Sequence, residues 1–266
     1  MQTGISTASL FKRYQTLEAL KRLDDNGVKT AEVFLESYSE YNKKFGKKLA
    51  KAKGGVEIHS VHTLTTQFEP QLYSENQVAQ KDSFDILDGV LECAKQIGAK
   101  YYTFHGTARI KRVPININFE RHAKITNLIA ERCLSYGVTL AYENVHWCYY
   151  NYVGFFNELK KRVPLLKGTL DVKQARQSGI SHLEFLKEMK RDIATVHLSD
   201  VDENGKMCLP MAKGGTVDFN ELFSALADVG FDGAMLIEAY YGDYKEEAEL
   251  YDCYQKISEL SKKYFK

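Results

Sequence analysis

Short runs rich in Val, Ile, Leu, Thr and Tyr alternate along this chain with longer amphipathic stretches, and the alternation hardly breaks from end to end. The runs predict strands over Thr3–Ala8, Thr30–Leu35, Val56–His62, Lys100–His105, Val138–Glu143, Leu166–Asp171, Ile193–Ser199 and Gly233–Ile237. Helical periodicity predicts helices over Tyr14–Asn26, Ser39–Lys51, Asn76–Ile97, Asn118–Ser135, Tyr152–Arg162, His182–Lys190, Phe219–Asp228 and Tyr244–Tyr264. Gly27, Gly98, Gly137 and Gly230 each follow a predicted helix and precede a β-rich run, where a left-handed helix end is expected.

Eight such strand–helix units point to an α/β fold, a (β/α)₈ TIM barrel, with a doubly wound open sheet as the alternative. The chain has 266 residues and no Gly/Pro/Ser-rich linker or composition break, so residues 1–266 read as a single domain. No apolar stretch reaches the roughly 20 residues that span a bilayer, and the N-terminus lacks the pattern of a signal peptide. A net charge of +1 gives no global field for nucleic acid or an anionic membrane. Cys93, Cys133, Cys148, Cys208 and Cys253 are odd in number and form no CxxC, which favours reduced thiols and a cytoplasmic location.

Chemistry enters at the strand ends. His62, His105, Glu143, Asp171, His197 and Glu238 each lie at or close to the end of a predicted strand. Alternate side chains share a face, so His105 goes with Thr103, Glu143 with Ala141, Asp171 with Thr169 and His197 with Thr195. The positions between them (Phe104, Tyr142, Leu170, Val196, Leu198 and Ile237) are apolar and suit the layer between strands and helices. The candidate ligands therefore face into the barrel at its C-terminal mouth, where barrels of this kind carry their active sites. Each residue alone also has a structural reading, as a helix N-cap or as a satisfied buried group. Glu143, Asp171, His197 and Glu238 together imply a cation, because three carboxylates in one mouth repel unless neutralised. Three carboxylates and one imidazole favour Mn²⁺, Mg²⁺ or Co²⁺ with an open coordination position. His62 and His105 either join Glu143 around a second metal, which would favour Zn²⁺, or hydrogen-bond substrate hydroxyls. His59, three positions from His62, is expected on the opposite face of its strand.

The order Glu143 (YENV), Asp171 (TLDV), His197 (HLSD) and Glu238 (LIEAYY) on the fifth to eighth predicted strands resembles the xylose isomerase-like TIM-barrel superfamily. That superfamily holds sugar and sugar-phosphate isomerases and epimerases, inosose dehydratases and apurinic-site endonucleases. The resemblance covers essentially the whole chain and is strongest over residues 138–240. It implies a divalent metal on Glu143, Asp171, His197 and Glu238, with Glu143 and Glu238 also serving as acid–base groups on a sugar carbon. It implies a metal-dependent isomerase or epimerase of a sugar, sugar phosphate or related hydroxy-carbonyl compound, working by proton abstraction and a metal-stabilised enediolate. A hydride shift, a sugar dehydratase and an abasic-site phosphodiesterase are the alternative chemistries, and a carbohydrate-binding or regulatory barrel is the non-enzymatic one. The chain departs from the trinuclear nuclease pattern at Gln174, where that pattern has histidine, and in the loop CLPMAKGGTVDF, which has Cys208 and no histidine.

Weaker features surround this set. Arg109, Lys111 and Arg112 after the fourth strand, and Lys213 beside Gly214 and Gly215, are candidate anion contacts. His146 and Trp147, in the aromatic loop NVHWCYYNYVGFF, are candidate substrate contacts. Asp200, Asp202, Asn204 and Gly205 begin like a calcium loop, but Met211 stands where the last ligand is required, so a hairpin turn is the better reading. The expected partner is a small carbohydrate, with no nucleic acid and no membrane, and with a homo-oligomer left open.

Overall fold

In the computed structural model, which describes residues 1–64, 68–109 and 116–265, eight parallel strands close into a barrel. The strands are β1 (Gln2–Ser6), β2 (Thr30–Leu35), β3 (Glu57–Thr63), β4 (Tyr101–Phe104), β5 (Thr139–Glu143), β6 (Lys167–Asp171), β7 (Ile193–Leu198) and, after a two-stranded ribbon, β10 (Ala234–Ile237). The ribbon pairs β8 (Asp200–Val201) with β9 (Met207–Cys208) around Gly205, which has φ +81°, as the hairpin reading of that segment expects. The helices are α1 (Thr16–Asp25), α2 (Lys43–Ala52), α3 (Phe68–Gln71), α4 (Gln77–Ile97), α5 (Phe119–Ser135), α6 (Phe155–Lys160), α7 (Val172–Gln177), α8 (His182–Met189), α9 (Phe219–Asp228) and α10 (Glu247–Ser261). No described helix is long and apolar enough to cross a membrane.

The helix ends form where the sequence places them. The glycines after α1, α4, α5 and α9 all lie in the left-handed region, at φ between 71° and 79°. Asn76 accepts from the N–H groups of Val78 and Ala79 to start α4, and Asp218 does the same for Asn220 and Glu221 in α9. The outward-facing strand residues Phe104, Tyr142, Leu170, Val196, Leu198 and Ile237 are fully buried under the helices. Two of the inward-facing residues are polar and paired: Thr103 donates to Glu32, and Thr195 meets His59 at 3.0 Å.

That last contact corrects the expected direction of His59. The register of β2 on β3 runs Ala31 to Ile58 and then Glu32 to Ser60, so one residue of β3 is skipped. A skipped residue reverses the parity of every side chain beyond it. His59 therefore reaches Thr195 inside the barrel while Ser60 and His62 both come to Glu32. Other differences are local. The first strand ends at Ser6 and continues as a 3₁₀ turn over Thr7–Leu10, where a strand reaching Ala8 is expected. The last helix starts at Glu247, and α3, α7 and the ribbon are too short to show a period.

Candidate active site

Asp171 illustrates how the chain builds the site. As the last residue of β6 it is also the N-cap of α7: Oδ1 accepts the Gln174 N–H at 2.7 Å. Its backbone is paired with the Asn144 side chain, which accepts the Asp171 N–H at 2.8 Å and donates to its carbonyl at 2.9 Å. The structural and the ligand readings of this residue thus hold together, because Oδ2 stays free to face His197 at 3.8 Å.

Around His197 Nδ1 the other two expected carboxylates close in, Glu143 Oε1 at 3.1 Å and Glu238 Oε2 at 2.9 Å. Glu143, Asp171, His197 and Glu238 are all buried, and one donor atom from each lies within 4.8 Å of the others. Glu238 Oε2 nevertheless has no hydrogen-bond partner among the described residues. His197 Nδ1 and Glu143 Oε1 are hydrogen-bonded to each other, and the unbonded Glu238 Oε2 beside them leaves a donor for an ion set among the three. Edges of about 3 Å are what an octahedral ion with ligands near 2.1 Å requires.

Glu143 then turns its second oxygen the other way. Oε2 lies 3.0 Å from His105 Nε2 and 3.8 Å from His62 Nε2, and the two imidazole nitrogens are 2.8 Å apart. A tetrahedral zinc with bonds near 2.05 Å needs donor–donor edges of about 3.3 Å, close to the mean of these three. The six residues expected from the sequence thus form two clusters that share one carboxylate.

Two buried acids that touch this site escaped the sequence reading. Glu32, on β2, lies beneath His197, with its oxygens 3.2 and 3.3 Å from Nε2. It accepts from the hydroxyls of Ser6, Ser60 and Thr103 as well. Its signal was one carboxylate inside the otherwise apolar run TAEVFL. Glu69, in α3, accepts the Tyr102 hydroxyl at 2.6 Å and the N–H groups of His105 and Gly106 at 2.9 and 3.1 Å. It fixes the turn that carries His105, where Gly106 has φ +74° and a Cβ would strike the Tyr142 hydroxyl.

The electrostatics fit an incomplete charge balance. Burial disfavours the charged form of Glu143, but hydrogen bonds and charge from His105 and His197 hold its carboxyl well below the usual range. Burial is likewise overridden at Glu238, which Lys173 and His197 hold down at about 2. Asp171 goes the other way: burial, reinforced by Glu238 and Glu143 against the pull of Lys173, pushes it up to about 8. Burial opposes charge on His105 and His197 too, yet the surrounding carboxylates raise both, His197 strongly through Glu32 and Glu238. Without a metal the cluster therefore retains protons, and a divalent cation would supply the same charge.

The remaining candidates lie at the rim. Trp147 meets the His105 ring edge-on at 5.4 Å, placing an aromatic face beside the second cluster. His146 is committed to Gln174, whose Oε1 is 2.6 Å from Nδ1 and accepts the His146 N–H at 3.2 Å. Gln174, at the position where the nuclease pattern has histidine, is thus a support for this loop. Arg109 is exposed and its backbone N–H donates to the Trp147 carbonyl at 2.7 Å; Lys213 is exposed as well. Neither is brought into the buried cluster. Lys111 and Arg112 lie outside the described residues.

A closed parallel barrel with an acidic, histidine-bearing cluster at the C-terminal ends of its strands is an enzyme-type TIM barrel by architecture. A family model described as xylose isomerase-like TIM barrel matches residues 19–254, and the chain belongs to that family. No curated protein matches it. Among solved structures it is similar to a D-tagatose 3-epimerase-like protein, at 17% identity and TM-score 0.79, with 99% of each chain covered. It is similar at 16% identity and TM-score 0.79 to a D-psicose 3-epimerase from Clostridium cellulolyticum H10 solved with D-tagatose, covering 100% of both chains. A third is an IolI protein with a bound zinc atom, at 19% identity and TM-score 0.78, covering 100% of this chain and 99% of that one. At these identities the likeness is one of fold.

Proposed function

We propose that this protein is a metal-dependent isomerase or epimerase acting on a small hydroxy-carbonyl sugar, with residues 1–266 forming one catalytic unit. The observation that carries the reading is the convergence of Glu143, Asp171, His197 and Glu238 within 4.8 Å at the barrel mouth. It is supported by the epimerase names of several similar folds. The four residues would hold Mn²⁺, Mg²⁺, Co²⁺ or Zn²⁺, which supplies Lewis acidity toward the oxygens of a bound hydroxy-carbonyl.

The chain's own groups do the rest. Glu143 and Glu238 approach His197 from β5 and β10, strands separated in the barrel by β6 and β7. A substrate carbon held between them has one carboxylate to take its proton and another to return one on the opposite face, which is epimerisation. Return of the proton to the neighbouring carbon gives aldose–ketose isomerisation instead. His197 stays oriented by Glu32, and Trp147 offers an aromatic face for the apolar side of a sugar ring. The test is to determine bound metal by elemental analysis and to assay D-tagatose, D-psicose and D-fructose with the native protein and the Glu143→Gln and Glu238→Gln variants. Full turnover in both variants would end the acid–base assignment. A product with new carbonyl absorbance would identify a dehydratase.

A second reading has one observation in its favour. The His62–His105–Glu143 triangle is a nitrogen-rich site next to the first, as a dinuclear phosphodiesterase needs. Gln174 bound to His146 speaks against a third metal. Incision of a duplex containing an abasic site would reverse the ranking.

A further inference from the structure

Lys173 is the only lysine or arginine among the buried residues described, with 4% of its surface exposed. It stands two residues after Asp171, on the first turn of α7, and its ammonium reaches back over the acidic cluster. Nζ is 3.9 Å from Asp171 Oδ2, too far for a hydrogen bond, and lies 4.0 Å from the centre of the Tyr240 ring. It has no hydrogen-bond partner among the described residues, although an ammonium carries three donors. The attractions holding it charged come from Glu238, Asp171 and Tyr240. Beyond it, a cavity of about 420 Å³ is lined by Lys173, Arg176, His182 and Ser199, and by none of the cluster carboxylates.

An unbonded ammonium is costly to bury, and it persists here because Asp171, Glu238 and the face of Tyr240 surround it with negative charge. The same charge is what would draw in a divalent ion. Lys173 and the ion therefore act on one set of carboxylates with the same sign, and each weakens the hold of the cluster on the other. Its hydrogen-bonding capacity is left unspent by the protein.

We infer that Lys173 is the internal counter-ion of the metal cluster: it stabilises the metal-free protein, opposes the incoming cation, and is left with free N–H donors for a substrate oxygen once the ion is in place. This inference rests on the metal-site reading given above. It also separates this barrel from one in which the ion alone neutralises the acids, since here the metal-free fold carries its own partial substitute. An ammonium beside the cluster further favours a substrate oxygen that gains negative charge when a neighbouring C–H proton leaves.

The experiment uses Mn²⁺ alone. The metal-free native protein and the Lys173→Met, Lys173→Gln and Lys173→Arg variants are titrated with Mn²⁺, following free ion by electron paramagnetic resonance, and melted with and without it. Removing a unit charge beside a divalent ion should tighten Mn²⁺ binding roughly tenfold or more in both uncharged variants, with Arg behaving as native. The uncharged variants should melt earlier than native when metal-free and regain the difference when loaded. Generic damage to the site would weaken binding, so affinities equal to or below native in both uncharged variants overturn the inference. So does failure of both to fold with Mn²⁺ present, since the ion should replace the missing charge. If the native protein binds no Mn²⁺, the metal-site reading itself fails and the inference falls with it.

Discussion

His197 and Glu32 form a buried pair in which the Nε2–H of the imidazole is shared between both carboxylate oxygens, at 3.2 and 3.3 Å. With Glu32 ionised, the partner keeps a proton on Nε2, so that Nδ1, protonated among the carboxylates of the metal-free cluster, is the nitrogen that would give up its proton to a cation. Glu32 itself is held by three hydroxyls, so the ring cannot turn without breaking several bonds at once. Replacing Glu32 by Gln should lower affinity for a divalent ion about 10–100-fold while the four proposed ligands stay in place. Calorimetric titration with Mn²⁺ measures it; native affinity in the variant would show that the orientation of His197 does not depend on Glu32.

The Glu143→Gln and Glu238→Gln variants should each lose turnover by about 10²–10⁴-fold. Glu143 should be the more severe for metal content, because its two oxygens serve both clusters. Elemental analysis of the two variants separates the effects: a Glu238→Gln protein that retains metal but not turnover has lost the acid–base group and not the site.

Metal-free protein should lose stability as the pH rises through the range set by Asp171. Its carboxyl titrates near 3.8 when unperturbed and is pushed up to about 8 in the fold. A raised folded value means that its contribution is fully present below about pH 4 and disappears as the pH climbs toward 8. Glu238, held down at about 2, works in the opposite sense and only below its ordinary value of 4.5, so it does not mask the trend. Melting curves from pH 5 to 8 should therefore show a steeper decline for the native metal-free protein than for Asp171→Asn. Added Mn²⁺ should flatten the native curve. Parallel curves for the two proteins would remove Asp171 as the cause.

Glu69 should matter more than its distance from the carboxylate cluster suggests. It accepts the N–H groups of His105 and Gly106 in a fully buried setting, and Ala at this position leaves both without a partner. The expected cost is about 2–6 kcal/mol of stability, from two orphaned donors at about 1–3 kcal/mol each. Denaturant unfolding reads it directly, and a loss under 1 kcal/mol would mean that the turn finds other acceptors.

Much of this arrangement was legible in the chain because strand ends, apolar alternation and left-handed glycines are local signals. His105, Glu143, Asp171, His197 and Glu238 each sit where a strand runs out, and convergence follows once the barrel closes. His59 was assigned the wrong way because parity fails at a skipped residue, and nothing in VEIHSVH marks the skip. Glu32 was missed because one acid within a strand does not reveal which face it takes. Lys173 was missed because α7 is only six residues long and its buried side follows from contacts with Tyr240 and Asp171, which are distant or hidden in sequence. The same limit applies to Gln174, whose use depends on a loop from the neighbouring strand.

The segment after β4 as far as Arg109 and the loop after β5 are stitched together by the Ala108–Cys148 bridge and by the Arg109 N–H to the Trp147 carbonyl. Trp147 also rests against His105, so one wall of the mouth behaves as a single panel and not as two independent flaps. Any tailoring of this entrance toward a different sugar must then alter both segments in concert, since a change confined to one would be transmitted at once to the other.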